Sequence, residues 1–111
     1  MKQTPEHSSE QDLFTRTIAK ICCESCVKEY KFHEYRKWRF DYAIPSKKIA
    51  IEVEGGVWIQ GRHNRANGFL GDMEKYNTAT AMGWRLLRTT PQELMTTKFI
   101  GVVKKTVEFC F

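Results

Sequence analysis

Long apolar runs are missing from this chain. Nothing in it approaches the roughly 20 apolar residues that a helical membrane span needs. The N-terminus, MKQTPEHSSEQD, lacks the apolar core of a secretory signal, so a cytoplasmic setting is expected, in a bacterial or phage-infected cell. The four cysteines are then expected to be reduced thiols. Zinc-finger spacing is missing too. Cys22, Cys23 and Cys26 fall close together and Cys110 lies far off, but the single C-x-x-C has no second pair and no spaced histidines to partner it. Structural Zn²⁺ is not expected, and the clustered cysteines read as small buried residues at a helix end. Acidic charge is the minority: Lys and Arg outnumber Asp and Glu 18 to 13, leaving +5. That excess favours an anionic partner, of which nucleic acid is the commonest, although a solvated basic surface would give the same balance.

What remains is a globular composition on a one-domain length, 111 residues with 41% hydrophobic and 28% charged. Internal repeats and low-complexity tracts do not occur. Residues 1–7 read as a loose leader and 8–111 as a single domain. Ser8 or Ser9 can cap a first helix whose apolar stripe is Phe14, Ile18, Ile21 and Cys22, with Glu10 one turn ahead of Phe14. A strand is expected near Val27–Phe32. Two more, 37–43 and 48–54, flank a turn at Pro45. After the loop GGVWIQGRHNRANG, the positions Phe69, Met73, Tyr76 and Thr80 predict a helix over 69–82, closed by Gly83. WRLLR (84–88) reads as a short buried strand, with Trp84, Leu86 and Leu87 in the core. Thr90-Pro91-Gln92-Glu93 reads as a capping box opening a last helix. The order α-β-β-β-α-β-α predicts an α/β fold, a mixed sheet of about four strands flanked by helices.

The chemistry gathers in FDYAIPSKKIAIEVEGG. Alternation puts Ile49, Ile51 and Val53 on one face of the third strand and Glu52 and Glu54 on the other. Trp38, Phe40 and Tyr42 oppose Arg39 and Asp41 in the same way, and hairpin pairing would set Asp41 beside the two glutamates. Three carboxylates this close repel one another, and desolvation adds to the cost. A hard divalent cation such as Mg²⁺ relieves the conflict, and can bridge a phosphate and activate water. The plainer alternative is an exposed strand whose acids pair with Lys47, Lys48 or Arg39.

Asp41, ten intervening residues and Glu52-Val53-Glu54 resemble the catalytic hairpin of the PD-(D/E)XK nuclease superfamily. FDYAIP, IEVEGG, a GRH loop and DMEKYNTATAMGWRLLR further resemble the branch that holds the very-short-patch repair (Vsr-like) endonucleases and related small phage-encoded nucleases. The resemblance runs from about residue 8 to residue 90. It implies a restriction-endonuclease-like core and a Mg²⁺-dependent DNA endonuclease, with Mn²⁺ able to substitute. Asp41 and Glu52 would ligate metal, the Val53 carbonyl would complete the shell, and Glu10 would reach in from the first helix. Glu54 stands where the superfamily has lysine. A carboxylate there can bind metal or act as general base, but the missing cation must come from elsewhere. His63 is the first candidate, since imidazole shuttles protons near neutral pH, followed by Lys75 and Arg65.

Phosphates would be held by Arg62, His63 and Arg65 of the glycine-rich loop, by Lys75, and by the basic run Arg36, Lys37 and Arg39. For that run a solvated edge strand is the plainer account. Asp72, Glu74 and Lys75 could equally be helix-surface pairs. Trp58 could stack on a base, though a core anchor is the commoner use of such a residue. Cutting both strands of a duplex would call for a homodimer. Two other functions fit the same residues: a non-catalytic DNA-binding module, and a protein-interaction subunit that engages a host factor.

Overall fold

The computed structural model describes residues 11–55 and 65–109, with the backbone alone for 65–69. Four strands form one sheet in the order β1 (Val27–Lys31), β2 (Arg39–Ile44), β3 (Ile49–Val53) and β4 (Arg85–Thr89). The first two pairings are antiparallel and β3–β4 is parallel. The sheet is thus mixed, and the β3–helix–β4 crossover is the one the sequence led us to expect. Three helices cover it: α1 (Leu13–Cys22), α2 (Arg65–Ala81) and α3 (Thr97–Glu108). None of the helices among the described residues is long and apolar enough to cross a membrane.

Two hydrophobic clusters hold the layers together. On one face, Phe14 and Ile18 of α1 and Phe99, Val103 and Val107 of α3 pack on Tyr42, Ile44, Ile49 and Ile51. On the other, Ala79 of α2 joins Phe32, Phe40, Ala43, Ala50 and Trp84. Leu86 and Leu87 are half-buried, one against each cluster, because β4 is an edge strand with an uncovered side.

Several local expectations are corrected. The cap of α1 is Asp12, not a serine further back. Its carboxylate accepts from the Thr15 N–H, while the Thr15 hydroxyl accepts from the Asp12 N–H, a reciprocal capping box. Glu10, expected one turn ahead of Phe14, lies outside the described residues. Ile21 is exposed and Thr15 takes its place in the buried stripe. Cys23 caps the C-terminus in a left-handed conformation and is exposed, so only Cys26 of the cysteine trio is fully buried.

Helix α2 starts at Arg65, so the end of the supposed loop is helical. Met73 and Thr80 point outward, and the inward positions are Tyr76 and Ala79. Gly83 ends the helix as expected. At φ 93° it allows the Trp84 N–H to reach the Ala79 carbonyl and its own N–H the Thr80 carbonyl. At the other boundary, the Thr90 hydroxyl does accept from the Glu93 N–H, but that motif closes one turn only. Helix α3 opens later, with Thr96 accepting from the Phe99 N–H, a start that carries Phe99 into the core.

Alternation on β2 breaks at Asp41. Tyr42 belongs to the first cluster, whereas Phe40, two residues earlier, belongs to the second with Ala43. Strand β1 makes the matching change. Val27 and Tyr30, three apart, both pack on the second cluster, and between them Glu29 adopts φ 51°. The pairing Tyr30↔Phe40 and Val27↔Ala43 keeps its register throughout. A left-handed residue on one strand thus lets both strands turn over together. This leaves Asp41 at the switch, directed toward β3.

Candidate active site

The pairing of β2 with β3 ends at Tyr42↔Ile51, while β3 continues beside β4 to Val53↔Thr89. Beyond Ile51 the two strands part, and carboxylates take over the backbone donors. Glu52 Oε2 accepts from the Asp41 N–H at 3.0 Å, and Asp41 Oδ2 accepts from the Val53 N–H at 2.7 Å. Each acid thus bonds the other strand's backbone, and the two lie across the mouth of the hairpin, where the register Tyr42↔Ile51 continued by one residue puts them. Because N–H and C=O of one strand residue point the same way, the Val53 carbonyl also faces the β2 side.

Glu52 is buried, 8% exposed. An ionised carboxylate this deep needs compensation, and α2 supplies it. The Tyr76 hydroxyl donates to Glu52 Oε1 at 2.7 Å, and Lys75 Nζ lies 3.4 Å from the same oxygen. Lys75 is itself largely covered, at 16% side-chain exposure, and rests near the Phe40 and Tyr76 rings. Burial, then the bond to Glu52, pushes the Tyr76 phenol well above its usual range, so it remains a proton donor at all ordinary pH.

Glu54 behaves differently. Its Oε2 lies 2.6 Å from Arg88 Nε, and the Arg88 guanidinium sits over the Tyr76 ring at 5.2 Å. Lys47, Lys48 and Arg39, named from sequence as partners for the acids, are not the ones used; Lys75 and Arg88 are. Nor do the three acids converge into one cluster: among the described residues, no group of three His, Cys, Asp or Glu side chains is arranged to hold a metal ion. The physical reason is that alternation leads Glu54 toward Arg88 of β4, while Asp41 sits at the face switch of β2.

A cleft of about 310 Å³ opens here. It is walled by Glu52, Val53, Glu54 and Gly55 at the end of β3, by Asp72, Lys75 and Tyr76 of α2, and by Arg88 of β4. Gly55 is needed for the closeness of its rim, since a Cβ there would lie 2.6 Å from Pro91 Cδ. Asp41 and Glu52 fit a hard divalent cation in donor type. Both are carboxylates on adjacent strands, and their observed hydrogen bonds leave lone pairs on each.

Of the other predicted residues, Arg36 is engaged twice. Its guanidinium bonds Glu74 of α2 at 2.8 Å and stacks 3.9 Å above Trp38. Arg39 lies 3.7 Å from Glu29, and Lys37 is exposed. Strand β2 is internal to the sheet, so this basic run does not guard an edge. Glu10, Trp58, Arg62 and His63 lie outside the described residues, and Arg65 is described only as the first backbone position of α2. Tyr76 and Arg88 are the site residues that sequence reasoning passed over. By its pattern the sequence places Tyr76 in a core stripe and Arg88 at a strand end. The available signals were that Tyr76 adjoins Lys75, and that Arg88 shares the alternating face of Leu86. Comparison with protein-family models, with curated proteins and with solved structures finds no match for this chain.

Proposed function

We propose that this protein is a Mg²⁺-dependent DNA endonuclease of the PD-(D/E)XK kind, with Mn²⁺ able to substitute, and that its four-stranded sheet is a restriction-endonuclease-like core. The observation that carries the reading is the cation beside the second acid: Lys75 Nζ, 3.4 Å from Glu52. The hairpin motif has a glutamate where lysine is usual, and α2 brings a lysine to the same carboxylate from another element. Asp41 and Glu52, with the Val53 carbonyl, would hold the metal; Glu10 and His63 are candidates to join them from outside the described residues.

When bound, the divalent ion would polarise the scissile phosphate and lower the pKa of a water beside it. The rest falls to the chain. Lys75 would stabilise the negative charge that builds on the phosphate oxygens at the wall of the cleft. Tyr76 fixes the Glu52 carboxylate by a neutral hydrogen bond, so Glu52 keeps its orientation when charge moves. Glu54 is ion-paired with Arg88 on the Nε side, and the outer guanidinium nitrogens would be turned to a phosphate. Arg62, Arg65 and Lys37 would add sequence-independent attraction for the DNA backbone. A second copy would be required to cut both strands.

A second reading, a DNA-binding module that does not cleave, is favoured by one feature: Glu52 Oε1 already has two donors, Tyr76 and Lys75. Titrating Mg²⁺ and Mn²⁺ against supercoiled plasmid and branched DNA separates the two. Nicking that rises with metal in the wild type and vanishes in Asp41→Ala is expected. DNA binding with no nicking at any metal concentration would leave only the non-catalytic module.

A further inference from the structure

The connection between β1 and β2, residues 32–38, carries an arrangement that the cleavage chemistry does not use. Tyr35 is 83% exposed, the most exposed large hydrophobic side chain among the described residues. An exposed ring at a tip presents a flat face on which another planar group can stack. Its support is rigid. His33 Nδ1 accepts from both the Tyr35 N–H at 3.1 Å and the Arg36 N–H at 3.0 Å, which fixes the turn. Behind the tip, a stack of flat groups runs inward. Arg36 lies over Trp38, Trp38 is near parallel to Phe32 at 17°, and Phe32 stacks on Phe40 at 4.1 Å. Lys37, two residues after Tyr35, is exposed, as is Glu34 just before it.

The tip is also tied to the cleft. Arg36 bonds Glu74, the residue before Lys75, and Phe40, which precedes Asp41, lies under Lys75. Tyr35 and Asp41 are only six positions apart, at most about 22 Å of chain, or on the order of six base steps along one strand. An exposed ring with an exposed lysine two residues on can stack an unpaired base while the lysine reaches its phosphate, the exposed Glu34 before the ring opposing only part of that attraction. A paired base inside a duplex offers no free face to such a ring.

We infer that the β1–β2 tip is a stacking platform for an unpaired nucleotide, with Tyr35 under the base and Lys37 on its phosphate. It selects DNA that contains single-stranded character next to the cleft. This rests on the nuclease reading only for its biological meaning, because the platform is tested by binding alone.

The experiment measures fluorescence anisotropy of a labelled single-stranded oligonucleotide and of the same sequence as a blunt duplex. It is run without divalent ions, so no cleavage intervenes. Wild-type protein should bind the single strand more tightly than the duplex. Tyr35→Ala should weaken single-strand binding by about five- to a hundredfold, the usual worth of one stacked base. Tyr35→Phe should retain it, and neither variant should alter duplex binding by more than about twofold. Lys37→Ala should lower the slope of log affinity against log salt by about one. Equal losses on both DNA forms, a Phe variant as weak as the Ala variant, or unchanged binding in Tyr35→Ala would each overturn the platform. A protein that stacks DNA at the tip yet never cleaves it would overturn the nuclease reading and leave the platform standing.

Discussion

Lys75 is the residue on which the site's electrostatics turn, and replacing it with methionine keeps the stem while deleting the charge. Glu52 then stays buried with two donors, the Tyr76 hydroxyl and the Asp41 N–H, but, among the described residues, no cation within ion-pair distance. Removing one partner of a fully buried pair costs about 3–5 kcal/mol. The two remaining hydrogen bonds lessen that, each worth about 1 kcal/mol or more to a charged acceptor. A loss of about 1–3 kcal/mol is therefore expected. Glu52→Gln alone should cost a similar amount by stranding Lys75, and the double variant should cost less than the sum. The assay is urea unfolding of the four proteins at neutral pH and low salt, read as a double-mutant cycle. A coupling of about 1 kcal/mol or more is expected for groups in contact. The cleavage rate of Lys75→Met should fall by about two to four orders of magnitude, as for a positioned group acting on the transition state. A coupling below about 0.3 kcal/mol would refute the ion pair as a structural element. Wild-type cleavage by Lys75→Met would refute its replacement of the motif lysine.

Glu54→Gln tests whether this acid works on the substrate or through Arg88; positioning predicts a loss of about tenfold, whereas a ligand or base predicts two to four orders of magnitude, and plasmid nicking rates distinguish them. Asp12 has a carboxyl that burial alone would raise, but its bonds from Tyr42 and Thr15 and the nearby Lys28 hold it below the usual value. Its stabilisation is thus present above the unfolded-state pKa of about 3.9 and lost as pH falls through the lower folded value, so Asp12→Asn should unfold with a shallower acid dependence than wild type below about pH 4. The Cys26 thiol is pushed up to about 12, first by burial and then by Asp12 and Cys22. A thiol-specific chromogenic reagent should modify exposed Cys23 in the native protein and reach Cys26 only on unfolding; equal rates for the two in native conditions would contradict that burial.

What could be read directly from the sequence were features decided by near neighbours. The hairpin at Pro45 and the helix end at Gly83 follow from backbone preferences within a few residues. The opposition of Asp41 and Glu52 follows from strand pairing once the hairpin is granted. Boundaries were less legible, because several residues compete to cap: Asp12 with Thr15 prevailed over the serines, and Thr96 over Thr90, each placing an aromatic, Phe14 or Phe99, into the core. The face switch at Asp41 could not be read from β2 alone, since it depends on the left-handed Glu29 of a different strand. Nor could the partners of the acids. Lys75 and Tyr76 meet Glu52 from 23 and 24 residues away, and Arg88 meets Glu54 across the parallel pair β3–β4. Several lysines and arginines lie closer in the chain. The crossover through α2 and the register of the edge strand choose among them, because a buried carboxylate takes its donors from whatever element packs over it, and only the assembled sheet determines which element that is.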